Sequence, residues 1–401
     1  MNPIEERRRF LRYLAASPAL LLPQSTRRYA GLGDGPITDP EQAIDVFDFE
    51  VVAEKTLPPA HWGYLSTGTD DDNTIRANRE GFKRYQLRPR RLIDVRKIDM
   101  STTLFGETWP SPIAISPTGR NQAFHPEGEL AVARAARAKN HLEMLSTVAS
   151  TGVEDVIEAR GAPIWYQLYA RYTWDITEAL VKRAEAAGCT AIVLTVDLQG
   201  GSNRQTNKRL AKLDERECTL CHEPVFEDYI RTKPMFDGLD VPRAGDYGRS
   251  LTWDWVRRLR DITSVKLLIK GIVRGDDAAL ALEHGIDGVI VSNHGGRAEA
   301  SGRSTIACLP EVVEAVQGRM VVLIDGGFRH GADFFKALAL GADAVCIGRP
   351  YLWGLASFGQ AGVEAVLTML RAELEMVMRQ AGTVRIDAID RSYLATPDSE
   401  R

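Results

Sequence analysis

The chain has 401 residues, a formal net charge of -4 at pH 7, 44% hydrophobic residues and 26% charged residues. These values are typical of a globular protein and give no electrostatic basis for binding nucleic acid. No apolar run approaches the roughly 20 residues that span a membrane, and five cysteines in so long a chain exclude a disulfide-dense scaffold.

The first 30 residues combine a basic start with a short apolar stretch. An arginine triplet at positions 7–9 precedes an apolar run that extends to Leu22. This order resembles a twin-arginine export signal, but the apolar part is short and no clear A-x-A cleavage site follows it. We therefore expect an intact basic amphipathic helix on a cytoplasmic protein, with an exported or membrane-associated protein as the alternative.

The rest of the chain alternates between short apolar runs and helical patterns. Residues 31–110 contain a helical pattern from Pro40 to Thr56 and are assigned to an N-terminal helical segment. Eight apolar runs with the length of buried strands follow. They are Ile113–Ser116, Glu143–Ser146, Ile164–Leu168, Ala191–Asp197, Val265–Gly271, Gly288–Asn293, Val321–Gly327 and Ala344–Arg349. The helical patterns between them are Gly128–Lys139, Ile176–Ala187, Trp253–Arg260, Asp276–His284, Pro310–Gln317 and Gly331–Leu340.

A strand and a helix repeated eight times predict an α/β protein with a (β/α)8 TIM barrel. We assign the barrel to residues 111–380 and a C-terminal tail to residues 381–401. A doubly wound open sheet is the alternative, but polar residues at the end of nearly every strand favour a closed barrel. The stretch from about 200 to 250 predicts a long loop after strand four, of the kind that forms lids or binding loops.

The most informative motif is SNHGGR at residues 292–297, directly after the sixth predicted strand. His294 and Arg297 thus lie just past the carboxyl end of a strand, where parallel α/β proteins place their chemistry. A neutral imidazole takes up a proton near pH 7, and a guanidinium holds a carboxylate bidentately. The pair predicts an enzyme that deprotonates a small acid carrying a hydroxyl group. The alternative is a strand-end turn around an ordinary histidine.

Glycines and arginines also follow the seventh and eighth strands, in DGGFR at 325–329 and GR at 348–349. Glycines let backbone N–H groups approach an anion, and the loops after strands seven and eight are the usual phosphate site of a barrel. The fifth strand ends in Lys270, a cation that is costly to bury without an anionic partner. Such a lysine could stabilise negative charge on a reduced flavin ring, form a Schiff base or bind phosphate.

Polar residues end the other strands as well, which suits an uncharged ring system that forms hydrogen bonds. They are Ser146 on the second strand, Gln167 and Tyr169 on the third, and Thr195 and Asp197 on the fourth. The first strand leads to the turn of Pro117, Thr118 and Gly119.

From about Ile44 to Pro350, the chain resembles the FMN-dependent L-2-hydroxy acid dehydrogenase and oxidase family. The resemblance rests on the motifs PTG, HPEGE, YQLY, LTVD, IKG, SNHGGR, DGGFR and IGRP, which occur in this order. That family includes glycolate oxidase, lactate oxidase, mandelate dehydrogenase and flavocytochrome b2. The resemblance implies an FMN cofactor and oxidation of a lactate- or mandelate-like L-2-hydroxy acid to the 2-oxo acid. It also implies a homotetramer, as in many members. The electron acceptor remains open among oxygen, a quinone and a cytochrome.

The resemblance also assigns roles to single residues and implies no metal site. His294 resembles the catalytic base, and Asp197 resembles the carboxylate that orients it. The substrate-binding positions correspond to Tyr64, Tyr169, Arg204 and Arg297. The positions that correspond to the FMN site are Pro117, Thr118, Gly119, Ser146, Gln167, Thr195, Lys270, Ser292, Asp325, Gly326, Gly327, Arg329, Gly348 and Arg349.

The chain departs from the family pattern in several places. Residues 298–302 read AEASG where members commonly have QLD, and His330 stands where a second arginine is common. Gly119 takes the place of a common alanine, as in the mandelate dehydrogenases, and we expect it to leave more room at the flavin face. In the long loop, Cys218, Cys221 and His222 match a C-x-x-C-H haem motif. Two ordinary cysteines are the favoured interpretation, with covalent haem, a metal site or a redox pair as alternatives.

Three further functions fit parts of the pattern. An oxidative decarboxylase of the lactate-monooxygenase type would carry the 2-oxo acid one step further before release. A non-catalytic flavin-binding redox protein or sensor would need the flavin site alone. An aldolase or isomerase barrel would bind phosphate without a flavin. His294, Arg297 and Lys270 together favour an active oxidoreductase.

Overall fold

The computed structural model describes residues 35–170, 172–216, 230–241 and 250–395. The helices and strands of this part belong to one compact unit, Thr38–Arg401. Two sequence predictions concern other residues: the basic and apolar start at 1–30 and the motif with Cys218, Cys221 and His222 lie outside the described residues.

Eight parallel strands close into a barrel, which confirms the predicted (β/α)8 fold. Consecutive strands are neighbours, and the last strand pairs with the first through Val345 and Ile113. Nearly every strand residue is buried, because side chains fill the interior and helices cover the outside. The strands are β1 (Ile113–Ile115), β2 (Leu142–Ser146), β3 (Trp165–Leu168), β4 (Ala191–Thr195), β5 (Lys266–Ile272), β6 (Gly288–Val291), β7 (Val321–Ile324) and β8 (Ala344–Ile347).

Twelve α-helices surround or precede the barrel in the described ranges. They are α1 (Val46–Thr56), α2 (Pro59–Ser66), α3 (Asn73–Glu80), α4 (Gly128–Lys139), α5 (Val153–Arg160), α6 (Trp174–Ala187), α7 (Gln205–Ala211), α8 (Trp253–Ile262), α9 (Gly275–Glu283), α10 (Thr305–Val316), α11 (Gly331–Ala339) and α12 (Arg349–Ala381). Helices α7 and α8 lie in the long connection after β4, and α12 consists of two helical pieces across a kink at Phe358 and Gly359. Within the same ranges, no helix combines the length and hydropathy of a membrane span.

Short elements complete the unit. Single 3-10 turns lie at Pro40–Gln42, Gly81–Arg84, Asn121–Ala123, Pro234–Phe236, Ile386–Ala388 and Arg391–Tyr393. Gln86–Leu87 pairs with Leu394–Ala395, and Thr102–Leu104 pairs with Glu107–Trp109.

The N-terminal segment therefore contains a β-hairpin besides its helices. Leu104 and Trp109 of this hairpin pack against interior residues such as Leu142, so the hairpin closes the amino-terminal end of the barrel. The end of α2 and the connection after it reach the opposite end, where the Leu65 and Thr67 carbonyls accept hydrogen bonds from Arg349. One segment thus covers both ends of the barrel, and only the carboxyl end carries the chemistry described below.

Several predicted boundaries are wrong. The fourth, sixth and seventh strands end at Thr195, Val291 and Ile324, two or three residues earlier than expected. The eighth strand was expected to extend to Arg349, but β8 ends at Ile347 and Arg349 is the first residue of α12. The tenth helix begins at Thr305 and not at Pro310, so the proline lies inside it.

The helix tolerates Pro310 because its missing donor is replaced. A proline ring removes the N–H that would bond to the carbonyl four residues earlier. That carbonyl belongs to Ile306, and the Tyr85 hydroxyl donates to it at 3.5 Å. The N-terminal segment thus supplies a partner that no local pattern around the proline reveals.

Candidate active site

The centre of the site is His294, in the turn that follows β6. Its backbone has a φ of 58°, and the next two residues are glycines that also have positive φ. Few residues with a Cβ adopt this left-handed conformation, and it is typical of functional sites. The Ser292 hydroxyl accepts a hydrogen bond from the His294 N–H at 3.0 Å, which fixes the turn.

Two neighbours fix the imidazole ring. Nδ1 of His294 lies 2.8 Å from Oδ1 of Asp197, which follows β4, and Nε2 lies 3.4 Å from the Tyr169 hydroxyl. The Asp197 carboxylate therefore holds the proton on Nδ1 and leaves Nε2 facing the cavity as an acceptor. Burial, with smaller effects of Lys270 and Arg297, lowers the pKa of His294 although Asp197 acts to raise it. Burial works to raise the pKa of Asp197, but His294 and Lys270 together hold it below its ordinary value.

Arginines surround the aromatic ring of Tyr64. The guanidinium carbon of Arg297 lies 4.3 Å from the ring centre, and that of Arg204 lies 5.4 Å from it. Arg204 comes from the loop after β4, and its Nη1 is buried without a hydrogen-bond partner. Burial and the charge of Arg297 lower the pKa of Arg204 to about 10. Because the two guanidinium groups lie at one ring and repel each other, an anion bound between them would be strongly stabilised.

A chain of hydrogen bonds crosses three neighbouring strands at the carboxyl rim. The Ser146 hydroxyl donates to Oε1 of Gln167 at 3.0 Å, and Nε2 of Gln167 donates to the Thr195 hydroxyl at 3.0 Å. All three side chains are buried. This row of hydrogen-bonded side chains offers hydroxyl oxygens and the edge of an amide group at the barrel mouth. A polar planar ring could bind against it.

Lys270 forms the charged centre of the barrel mouth. Its Nζ lies 2.7 Å from the Ser292 hydroxyl and 2.8 Å from Oδ2 of Asp325. Burial opposes the charge, but Asp325 and Asp197 raise the pKa of Lys270, so the side chain stays an ammonium group. Lys270 therefore has an anionic partner within the protein, and the buried Oδ1 of Asp325 has no hydrogen-bond partner.

The loops after β7 and β8 form a pocket lined by glycines. Gly326 and Gly327 have φ values of 101° and 88°, and a Cβ at Gly348 would meet no atom within 4 Å. Arg329 is buried, and its Nε has no hydrogen-bond partner. Burial lowers the pKa of Arg329 to about 10. A buried cation beside three glycines, of which Gly348 borders open space, fits a bound phosphate.

Arg349 has a different environment from Arg329. Its Nε, Nη1 and Nη2 donate to the carbonyls of Leu65, Gly295 and Thr67 at 2.9, 2.8 and 3.2 Å. Burial lowers the pKa of Arg349 to about 9, with Arg297 and Arg329 as further causes. Arg349 therefore links the turn of His294 to the end of α2 and to the connection after it, and its side chain lines the same cavity.

The expectation that Gly119 leaves more room is wrong. A Cβ at this position would lie 2.5 Å from Cγ2 of Val148 and 2.9 Å from the Val148 carbonyl oxygen. Val148, from the loop after β2, occupies the space that the missing methyl group would leave. The glycine is required by this close approach and does not open the cavity.

The structure brings the predicted site residues together at the carboxyl end of the barrel. Ser146, Gln167, Thr195 and Ser292 form the wall behind the main cavity, and Asp197 lies behind His294. Arg204 lines an adjoining cavity that shares Tyr64, Tyr169, His294 and Arg297 with the first. The main cavity is lined by Tyr64, Pro117, Thr118, Gly119, Tyr169, Lys270, His294, Arg297, Asp325, Gly326, Gly327, Arg329, Gly348 and Arg349.

Sequence reasoning missed two residues at this end. Glu129 is buried and accepts hydrogen bonds from the N–H groups of Asn121 at 3.0 Å and Ser150 at 2.8 Å, so it joins the loops after β1 and β2. It is the second glutamate of the HPEGE motif, which was the available signal. Arg120 directly follows the PTG turn, and its guanidinium carbon lies 5.8 Å from the Tyr64 ring centre.

Known proteins are similar to this chain in sequence and in fold. The model of the family "FMN-dependent dehydrogenase" matches residues 53–396. The chain is 40% identical over 361 residues to the peroxisomal (S)-2-hydroxyacid oxidase GLO3 of Arabidopsis thaliana, covering 90% of this chain and 98% of that protein. It is 41% identical over 367 residues to the glycolate oxidase of Spinacia oleracea, covering 88% and 96%.

A solved structure agrees with these sequence matches. The soluble mutant of the membrane-associated (S)-mandelate dehydrogenase from Pseudomonas putida has a TM-score of 0.81 and 34% identity, covering 88% of this chain and 100% of that one. The family match covers most of the chain and includes the barrel and its catalytic end. The family expected from the sequence motifs is thereby confirmed: the chain belongs to the FMN-dependent dehydrogenases and is an oxidoreductase with FMN as its cofactor.

Proposed function

We propose that the protein oxidises an L-2-hydroxy acid to the corresponding 2-oxo acid. The observation that carries this proposal is the arrangement around His294. Its ring is held by Asp197 at 2.8 Å and borders the same cavity as Arg297 and Lys270. A proton acceptor, a carboxylate clamp and a buried cation at one cavity are the groups that this oxidation needs.

The residues at the barrel mouth fit FMN. The phosphate would be held by Arg329 and the N–H groups of Gly326, Gly327 and Gly348. The free Oδ1 of Asp325 is suited to accept from a ribityl hydroxyl. The chain of Ser146, Gln167 and Thr195 would meet the edge of the ring, with Ser292 beside Lys270. The PTG turn would support one face of the ring.

The substrate would be positioned by charge. Arg297 and Arg204 would hold the carboxylate, and the hydroxyl group would lie between His294 and Tyr169. FMN, when bound, supplies the acceptor for the two electrons that leave the α-carbon. His294 takes up the substrate proton on Nε2, and Asp197 stabilises the resulting imidazolium. Fixing the carboxylate and the hydroxyl together orients the α-hydrogen, which is catalysis by positioning.

The proposal is tested by anaerobic titration of the purified protein with L-2-hydroxy acids, including L-lactate and (S)-mandelate. Bleaching of the flavin band, with the matching 2-oxo acid as product, is the expected result. The D-enantiomers serve as the control because they would present the α-hydrogen to the wrong side. A flavin band that no 2-hydroxy acid bleaches would refute the proposal.

Asp197→Asn should change the pH profile in a specific direction. Asp197 raises the pKa of His294, so its loss should lower that pKa further. Because His294 must be neutral to accept a proton, activity is lost as pH falls through its pKa. The acidic limb of kcat/KM should therefore move to lower pH. The maximal rate should fall about 10²–10³-fold, since the imidazolium loses its anion.

The control for this prediction is Asp276→Asn, which removes an exposed partner of Arg274 on the surface. It should alter neither the limb nor the rate. An acidic limb that stays in place, or moves to higher pH, in Asp197→Asn would mean that Asp197 does not act on His294.

Arg329→Met should weaken FMN binding by about 10–100-fold, the effect of about 1.5–3 kcal/mol for a hydrogen bond to a charged group. Titration of the apoprotein with FMN measures this change. Riboflavin, which lacks the phosphate, should bind wild type and variant about equally. Arg91→Met is the control, because Arg91 is exposed, donates to the Gln380 carbonyl and does not line the cavity. An equal loss for FMN and riboflavin would assign Arg329 to folding and not to phosphate binding.

A further inference from the structure

Two buried asparagines join the N-terminal segment to the turn that carries His294. Asn78 lies on α3, and Asn293 directly precedes His294; each asparagine is 2% exposed. Nδ2 of Asn78 donates to Oδ1 of Asn293 at 2.9 Å, and Nδ2 of Asn293 donates to Oδ1 of Asn78 at 2.9 Å. The two amide groups therefore form a reciprocal pair of hydrogen bonds that is shielded from water.

Backbone groups fix the orientation of both amides. Oδ1 of Asn293 accepts from the Gly296 N–H at 3.0 Å, and Oδ1 of Asn78 accepts from the Thr305 N–H at 3.2 Å. The NH2 group of Asn293 also donates to the Arg303 carbonyl at 3.1 Å. Because a backbone N–H can only donate, each amide oxygen must face its N–H and each NH2 group must face the other oxygen. The pair therefore requires both a donor and an acceptor at position 78.

The pair supports the turn from Asn293 to Arg297, here called the catalytic turn. The Gly296 N–H donates to the side chain and to the carbonyl of Asn293, each at 3.0 Å. The same carbonyl accepts from the Arg297 N–H at 3.3 Å. His294 and Gly296 have φ values of 58° and 79°, a conformation that persists only where surrounding contacts hold it. The Asn293 side chain thus fixes the backbone from which His294 and Arg297 extend.

Asn78 also contacts the turn after β7. The Thr305 hydroxyl donates to the Asp325 carbonyl at 2.5 Å, and the Thr305 N–H is the one that Asn78 accepts. A Cβ at Gly327 would lie 2.5 Å from the Asn78 carbonyl oxygen. Asn78 is not among the described residues that line either cavity of the site. It can therefore affect the reaction only through the residues that it holds in place.

Building on the proposed function, we infer that Asn78 is a positioning residue for the catalytic turn and acts through Asn293. Without its donor, the turn is free to adopt other conformations in which His294 and Arg297 no longer contact one substrate together. An asparagine that only stabilised the fold would change the free energy of unfolding and leave the turnover of the folded protein unchanged.

Asn78→Asp tests the donor. A carboxylate keeps an acceptor for the Thr305 N–H but has no proton for Asn293, so two oxygens would face each other. In folded protein saturated with FMN at pH 8, kcat/KM should fall about 10–100-fold. The ratio of variant to wild-type activity should rise as the pH falls, because a protonated carboxyl group donates again. Asn73→Asp, at an exposed position of the same helix, is the control and should keep wild-type activity.

A second variant separates the route of action from the repulsion. Asn78→Ala removes the donor without adding a charge, and it serves as the main variant if the carboxylate prevents folding. It should lower kcat/KM about tenfold in the wild-type background. In the Asn293→Ala background the same substitution should have little further effect, because its partner is already absent.

Backbone hydrogen exchange, followed by mass spectrometry, gives a readout that does not depend on activity. The N–H groups of Gly296 and Arg297 should exchange about tenfold faster in Asn78→Ala than in wild type, whereas exchange in α12 should stay unchanged.

Three results would overturn the inference. They are wild-type kcat/KM in both folded Asn78 variants, unchanged exchange in the catalytic turn, and full multiplication of the losses in the double variant, which would mean that Asn78 acts by a route other than Asn293. If no 2-hydroxy acid bleaches the wild-type flavin, the proposed function fails. The exchange rates of the catalytic turn then decide alone whether Asn78 positions it.

Discussion

His294→Ala is expected to slow anaerobic bleaching of the flavin band by about 10³-fold, within the range for loss of a general base. The remaining neighbours cannot replace the imidazole. Tyr169 is a phenol and a poor proton acceptor near neutral pH, and Asp197 lies on the far side of the ring, 2.8 Å from Nδ1. The variant should still bind FMN, because the phosphate pocket is formed by other loops.

Two controls make this result specific. His330→Ala removes a histidine at the start of α11, 3.5 Å from Glu373, and should leave turnover nearly unchanged. Added imidazole should partly restore the rate of His294→Ala, since the truncated side chain leaves space beside Tyr169. Wild-type bleaching rates in His294→Ala would show that another group accepts the proton and would remove the central assignment of the proposed mechanism.

The barrel was predictable because its signals are local. Runs such as Gly288–Val291 are apolar throughout, as strands buried on both faces must be. The polar residue that ends each run then falls at the carboxyl rim, so His294, Lys270 and Asp325 converge without any knowledge of distances. Strand order in a barrel follows chain order, so motifs that end successive strands lie side by side around one site.

Contacts between distant parts of the chain were not predictable. Tyr64 reaches the site from the segment before the barrel, and only the family resemblance indicated it. Val148 fills the space beside Gly119, and the Tyr85 hydroxyl bonds to the carbonyl that Pro310 leaves without its helical donor. Helix α5 was missed because Val153–Arg160 is only eight residues long and mixes charged with apolar residues. At Tyr64, Gly119 and Pro310, a partner elsewhere in the chain determines the outcome, whereas α5 was missed because its own sequence signal is weak.

Arg120 illustrates the same limit at the active site. Its position after the PTG turn is visible in the sequence, but its direction follows from a left-handed backbone and the Val148 carbonyl. An arginine in a loop is ordinarily a solvated surface residue. Arg120 differs from such a surface residue because its guanidinium lies near the Tyr64 ring, which Arg204 also approaches.

Arg297→Met and Arg204→Met are each expected to lower kcat/KM for an L-2-hydroxy acid by about 10²–10³-fold, from one or two charged hydrogen bonds at about 1.5–3 kcal/mol each. The 2-oxo acid product, which keeps the carboxylate, should bind correspondingly more weakly. Arg297→Lys should recover only part of the loss, because an ammonium group cannot form two parallel hydrogen bonds to a carboxylate. Arg303→Met, at an exposed pair with Glu311, is the matched control.

The two arginines should not act independently. Arg297 lowers the pKa of Arg204, so removing either one relieves repulsion on the other and leaves a better single cation. The double variant should therefore lose less than the product of the two single losses. A substrate analogue with a carboxamide in place of the carboxylate shows whether the arginines bind the substrate or only maintain the structure of the site. If the arginines hold the carboxylate, each substitution should cost the acid far more than the amide. If they only support Tyr64, acid and amide should lose activity equally.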